Sequence, residues 1–454
     1  MISPRNRELL GLLPSALLVT AGFTAIFIQS ESNSPGASTN LTLNHASGVS
    51  LTYGAIFLAL CLVAHMVVRF ALPYADPYLV PLAAVLASIG IVMVYRIDPV
   101  LARQQAEWMV LGVILFSATI LALRRRGLGV LEQYRYTIAA VGIGMTVLPR
   151  FPVIGEQVNG AYLDIHVGSV SFQPSELAKI AIVIFLASYL RDNRQILVTA
   201  GRRFLGVTIP PMKQFGPMLI VWGAAMATLL LTRELGTSLM FYGAFLALLY
   251  VATGRASFPL IGLVLFAVGA WFVVGHVSHV HARVLAWEHP FESKLYGERV
   301  GGSYQLAQSL FAQADGGVLG TGFDQSLLRL PGGGSILPVP ESDTIYAVIT
   351  NELGLTGAGA LLLVYLLFVV RGLKTAVLAR DSFSKLLATG LAFVVAMQVF
   401  VIVGGVTRVI PLTGVTLPFV AYGGSSVVMN FVLLALLLVI SDRARRPYAR
   451  PRRA

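Results

Sequence analysis

The chain reads as an all-α, polytopic membrane protein of about twelve spanning helices. Three observations carry that reading. Hydrophobic residues make up 56% of its 454 residues and charged ones 12%, and mean hydropathy is +0.78, a balance that a water-soluble globule could not cover with polar surface. Continuous Leu/Val/Ala runs of about 18 to 25 residues, enough to cross roughly 30 Å of hydrocarbon as helices, recur along the chain. The runs lack the short apolar/polar alternation of a membrane β-barrel, the other structure that satisfies its own backbone in lipid.

Spans are expected near 9–29, 51–72, 78–96, 106–123, 136–150, 174–190, 217–233, 237–252, 258–276, 344–370, 384–407 and 418–440. The first follows "MISPRNRE", which carries the charge of a signal-peptide start but leads to no small-residue cleavage site, so it is read as retained. With the second span and a polar linker, 30–50, it forms an N-terminal unit over residues 1–73. The single cysteine, Cys61, lies inside the second span. It offers neither a disulfide nor a thiolate metal site and reads as a small buried apolar residue. The remaining spans form a core over 78–441, followed by a basic tail over 442–454.

Net charge is +12, and basic residues fall in alternate loops: Arg5 and Arg7, Arg69, Arg124 to Arg135, Arg191 to Lys213, Arg255, Arg371 to Lys385, and the tail. The positive-inside rule then puts both termini in the cytoplasm. A juxtamembrane basic tail suits anionic membrane lipid and is not read as a nucleic-acid site. Three longer segments face outward: 30–50, 151–173 and 277–343. The last holds His276, His279, His281, His289, two glycine-rich turns ("GGVLGTG" and "PGGGS") and "LPVPESDTIYAV". Its aromatic and aliphatic content suits a partly helical cap over an outward-facing cavity.

Candidate chemistry sits at charges near membrane depth. In "FQPSELAKI", Glu176 and Lys179 lie three residues apart on one helix face, and an ionisable residue there must be paired or face a wet cavity. Arg233-Glu234 and Glu352 read as helix-end charges. The histidines match no helical face and have no carboxylate close in sequence before Glu288, so they read as interfacial and the identity of any metal is unknown. "GGVLGTG" lacks the Gly-Lys-Ser/Thr of a phosphate loop; its glycines suit tight turns and close backbone approach.

Taken in order, these strings resemble the SEDS family (shape, elongation, division and sporulation; the RodA/FtsW/SpoVE proteins). The resemblance covers roughly residues 78–441 and rests on "NGAYLDIHVGSVSFQPSELAKI", "RELGTSLMFY", "RVLAWEHPF", "YQLAQSLFAQADGGVLGTGF" and "LTGVTLPFVAYGGSS". Departures are Leu163 and Asp164 where many members have Arg-Trp, Glu234 in place of Asp, and the outer loop, where Asp343 takes the place of the family's Asp and Val339 that of its Glu. Glu341 is left without a counterpart. The extra helices before residue 73, "RIDP", and the outer loop favour a RodA-like elongation protein over an FtsW-like division protein.

The resemblance implies a peptidoglycan glycosyltransferase that polymerises lipid II at the outer leaflet with a class B penicillin-binding protein. A sugar hydroxyl is a poor nucleophile at neutral pH and needs a carboxylate base; inversion at the anomeric carbon needs no second, covalent carboxylate. Asp343 is the expected base. Lys179, with Arg283 or Arg233, is expected to meet the departing diphosphate, beside a divalent cation (Mg or Mn), and Glu176 to orient Lys179. Gln173, Ser425 and Ser426 complete the expected substrate-binding set. The competing readings are a flippase for lipid-linked precursors, centred on Glu176 and Lys179, and a non-catalytic scaffold that activates a partner synthase.

Overall fold

A computed structural model describes residues 3–32, 39–151, 155–158, 161–167, 170–199, 202–204, 207–209, single positions between 216 and 227, 234–297, 302–323, 325–326 and 336–447. Helices account for nearly all of it: α1 (Pro4–Ser32), α2 (Thr39–Ala71), α3 (Leu79–Ile97), α4 (Pro99–Arg126), α5 (Gly129–Gln133), α6 (Arg135–Val147), α7 (Pro174–Thr199), α8 (Leu235–Thr253), α9 (Ser257–His276), α10 (Ser278–Glu288), α11 (Ser293–Gly297), α12 (Tyr304–Gly316), α13 (Ile345–Leu378), α14 (Ser382–Val406) and α15 (Gly424–Arg445).

Local sequence explains their limits. Asp98 accepts from the backbone N–H groups of Val100 (2.8 Å) and Leu101 (3.4 Å), and Pro99 supplies the first helical residue, so "RIDP" ends α3 and starts α4. Asp381 caps α14 through the Ser384 N–H at 2.8 Å. α8 stops at Gly254, whose φ of 69° suits a residue without a side chain.

Nine helices among the described residues are long and apolar enough to cross a membrane, against about twelve expected. The expected span at 136–150 is α6, whose 13 residues end in a 3-10 turn holding Pro149; at 1.5 Å per residue it covers only about 20 Å. α7 is long enough at 26 residues but buries Glu176 and Lys179. The span expected at 217–233 lies largely outside the described residues, as does the tail from 448.

α15 is the central helix, with 89% of its apolar window buried, and α9 the peripheral one, at 11%. α15 packs on α4, α13 and α7, while α14 packs on α13, α8 and α7. The N-terminal pair is not loosely attached. Glu8 of α1 accepts from Arg5 and lies 2.8 Å from His65 Nδ1 of α2, all three buried, and Arg5 also donates to the Ala75 carbonyl.

Two features differ from the sequence-based expectation. Gly155–Val158, Ala161–Val167 and Val170–Phe172 form a three-stranded antiparallel sheet, with Val158 opposite Ala161. Within α13, the backbone breaks at Gly354 (φ 68°, ψ −174°). Asp343 therefore heads a short helix, Ile345 to Leu353, and not the long lipid-crossing helix that the apolar run suggested. Every residue from Ile345 to Glu352 is buried.

The break is repaired by the glycine-rich turn. The Thr321 and Gly322 N–H groups donate to the Asn351 and Glu352 carbonyls at 2.9 and 3.0 Å, and the Leu355 and Thr356 N–H groups donate to the Gly317 and Val318 carbonyls at 3.0 and 3.1 Å. A β-carbon at Gly354 would stand 2.3 Å from the Gly320 nitrogen, and one at Gly320 would stand 2.2 Å from the Glu352 oxygen. The glycines of "GGVLGTG" thus serve close backbone approach, as expected. Arg96 Nε pairs with Glu352 at 3.0 Å, tying the end of α3 to the same junction.

Candidate active site

The extended segment 411–423, lying between α14 and α15, organises the site. At its start, Arg283 of α10 donates to the Thr413 carbonyl at 3.2 Å, with the Leu412 carbonyl at 3.5 Å. A β-carbon at Gly414, whose φ is 70°, would lie 3.5 Å from Asp343 Oδ2, so the aspartate rests on this glycine. Further along, the Thr416 carbonyl accepts from Gln398 (2.8 Å), and the Tyr422 N–H donates to the Glu341 carbonyl (2.8 Å).

Asp343 is partly accessible and follows a tight turn in which the Val339 carbonyl accepts from the Ser342 N–H at 3.3 Å and from the Thr344 hydroxyl at 3.2 Å. Val339 holds a φ of 48°, a region costly for a β-branched residue. Burial pushes the Asp343 carboxyl up to about 6, against the lowering effects of the Ser342 hydroxyl (3.3 Å) and the Arg283 charge, while Glu341 adds to the rise. A half-buried carboxyl near 6 in the field of Arg283 has the titration a general base needs at neutral pH. The capping role that an Asp before a helix could play is not used: the helix begins without a side-chain cap.

The other expected residues converge elsewhere, in a buried polar network. Lys179 Nζ lies 2.5 Å from Glu176 Oε2 and donates to Gln398 Oε1 at 2.9 Å. The Ser426 hydroxyl accepts from Thr416 at 2.9 Å and from Asn430 at 3.3 Å. The Gln173 N–H donates to the Ser425 hydroxyl at 3.1 Å, and its side chain donates to Glu234 at 2.8 Å, as does Ser175. Burial pushes Glu234 up to about 7, partly offset by the Ser175 and Gln173 hydrogen bonds. The ammonium of Lys179 is buried and engaged by Glu176 and Gln398 on two sides, which suits holding α7 to α14 better than presenting a cation to a ligand. Arg233 lies outside the described residues. Of the expected cations among the described residues, Arg283 is the one whose charge acts on Asp343.

Gln398 was not anticipated. It joins Lys179 to the 411–423 segment, and its signal was available, since a lone glutamine in the apolar run "AMQVFV" must find a partner. The histidines do not form a centre: His276 bonds the Phe272 carbonyl of its own helix at 2.8 Å. Among the described residues no three His, Cys, Asp or Glu side chains are grouped to hold a metal. The expected divalent cation has no preformed cage there, and no step below runs through it.

A bundle with nine helices long and apolar enough to cross a membrane among its described residues defines the class: a polytopic helical membrane protein. Within that class, the FtsW/RodA/SpoVE family of cell cycle proteins matches residues 77–446, and the chain belongs to it. The peptidoglycan glycosyltransferase RodA of Mycobacterium tuberculosis is 38% identical, over 99% of this chain and 93% of its own length. Among solved structures, a chain from a study of the structural coordination of polymerization and crosslinking by a peptidoglycan synthase complex superimposes with a TM-score of 0.65 at 25% identity, covering 82% of this chain and 99% of that one. The rod shape determining protein RodA of Thermus thermophilus matches with a TM-score of 0.57 at 24% identity, over 82% and 98%, a likeness of fold.

Proposed function

We propose that the chain is a peptidoglycan glycosyltransferase that polymerises lipid II on the outer face of the cytoplasmic membrane, in cell elongation and shape, with Asp343 as general base. Asp343 accepts the proton of the acceptor sugar's 4-hydroxyl as that oxygen bonds to the donor's anomeric carbon. The bond to the diphosphate breaks with inversion, and undecaprenyl diphosphate leaves with the electron pair. Arg283, beside the base, meets the developing negative charge. A Mg or Mn ion would travel with the diphosphate, as such ions keep to one or two carboxylates and substrate phosphates.

The observation that carries this reading is the placement of Asp343: half-buried, against Gly414, in the field of Arg283, with its carboxyl near 6. The partner is a class B penicillin-binding protein, supported by the likeness to a chain of a synthase complex, and both termini are cytoplasmic. The test is polymerisation of purified lipid II by the purified protein, with and without the partner. Product from wild type and none from Asp343→Ala is expected. Polymer made without Asp343 removes the base assignment, absence of polymer under every condition favours transport, and growth supported by Asp343→Ala in a depletion strain favours the scaffold.

A further inference from the structure

Helix α10 carries Arg283 but is weakly packed, since Val280 and Ala286 are its only buried side chains. Polar ties to the chain beyond α14 hold it. One is Arg283 on the Thr413 carbonyl. The others all involve Arg408: its Nε donates to the Trp287 carbonyl at 2.9 Å, its Nη2 donates to the Glu288 carbonyl at 2.8 Å, and its own carbonyl accepts from Trp287 Nε1 at 3.1 Å. Trp287 and Glu288 end α10, so the guanidinium satisfies carbonyls that a helix terminus leaves without intrahelical partners, and places positive charge at the negative end of the helix dipole.

Arg408 does this at a cost. Its φ is 62°, and it follows the end of α14, where the Val409 N–H returns to the Gly404 carbonyl at 2.7 Å. A left-handed residue just past a helix is ordinarily glycine. An arginine there is disfavoured by its backbone and must be explained by its side chain.

We propose that Arg408 is a positioning residue: by capping the C-terminal end of α10 from the turn that follows α14, it holds Arg283 on the 412–414 segment beside Asp343. This rests on the reading of Asp343 as the base. Among the described residues, the charged groups facing Asp343 are Arg283 of α10 and Glu341 of its own loop; the facing residues 412–414 carry no charge. Loosening α10 withdraws the Arg283 charge, which disfavours the carboxylate and moves its titration to higher pH.

The test is the pH dependence of lipid II polymerisation by the full chain with Arg408→Gly, Arg283→Gln and the double variant. Glycine suits the left-handed position, so Arg408→Gly folds, with unfolding temperature unchanged or raised. Its rate near neutral pH is expected to fall by about tenfold, the scale of a small misplacement of a catalytic group, and its acid limb is expected to move upward towards that of Arg283→Gln. The double variant is expected to show no further shift. An unmoved acid limb, a loss uniform across pH, or additive shifts in the double variant would overturn the proposal while leaving the base assignment intact. Polymerisation retained by Asp343→Asn would overturn both.

Discussion

Lys179 and Glu176 form a buried ion pair at 2.5 Å one turn into α7, and the Gln398 side chain at 2.9 Å from the ammonium extends that pair to the Thr416 carbonyl. Removing one partner strands a charge in a low-dielectric interior. Lys179→Met or Glu176→Leu alone is expected to cost about 3–5 kcal/mol, and the Lys179→Met/Glu176→Leu pair much less. Thermal unfolding in detergent micelles measures both. A Lys179→Met protein that unfolds like wild type yet no longer binds lipid II would instead make Lys179 a ligand for the diphosphate.

Asp343 ties activity and stability to pH in opposite senses. A base must be ionised, so polymerisation should rise with pH through an apparent value of about 6. Because the folded carboxyl titrates above its ordinary 3.8, the folded state binds the proton more tightly than the unfolded chain. Its contribution to stability is full below about 3.8 and is lost as pH rises to about 6. Asp343→Asn should therefore abolish polymerisation while unfolding at the same or a higher temperature at pH 8. A lowered unfolding temperature would mean that the carboxylate is a structural group.

The sequence carried the helical membrane class and the close approach of the "GGVLGTG" turn, because each depends on composition or on residue types with narrow physical uses. It did not carry the break at Gly354, since both sides of the break are apolar and a hydropathy window joins them. "NELGLTG" held a hint in a glycine that no helix needs. The strands Gly155–Val158, Ala161–Val167 and Val170–Phe172 fall in a segment read only as a connection between spans, although Asn-Gly at 159–160 between alternating residues is a hairpin signal in the sequence. The enclosure of Lys179 is a tertiary fact: spacing put it beside Glu176 but could not say that Gln398 would close the other side.

The Gly354 break invites a paired test. At φ 68° and ψ −174° the backbone is open to little but glycine, and a methyl group would meet the Gly320 nitrogen at 2.3 Å and the Val318 oxygen at 2.4 Å. Gly354→Ala should lose about 1–3 kcal/mol from the backbone alone, with the clash added, and should displace the short helix that follows Asp343. Gly359→Ala, five residues on in the same helix with nothing within 4 Å of its added carbon, should be neutral or stabilising by up to about 1 kcal/mol. Unfolding temperature and polymerisation rate separate the two; equal behaviour would mean the helix is continuous.

Val339 gives the last test, in which two backbone effects compete. Its φ of 48° should cost about 1–3 kcal/mol in the folded state, while glycine in its place adds unfolded-state freedom that costs about 0.5–1 kcal/mol. The first term is the larger, so Val339→Gly is expected to raise the unfolding temperature. Strain of this kind also fixes the turn, because the Val339 carbonyl holds both the Ser342 N–H and the Thr344 hydroxyl on either side of Asp343. A turn freed of it presents the carboxylate less uniformly, and kcat should fall as the protein becomes more stable. A variant that gains stability with kcat unchanged would show that the turn is held by those hydrogen bonds alone, and a variant that loses stability would show that the valine side chain contributes more by packing than its backbone costs.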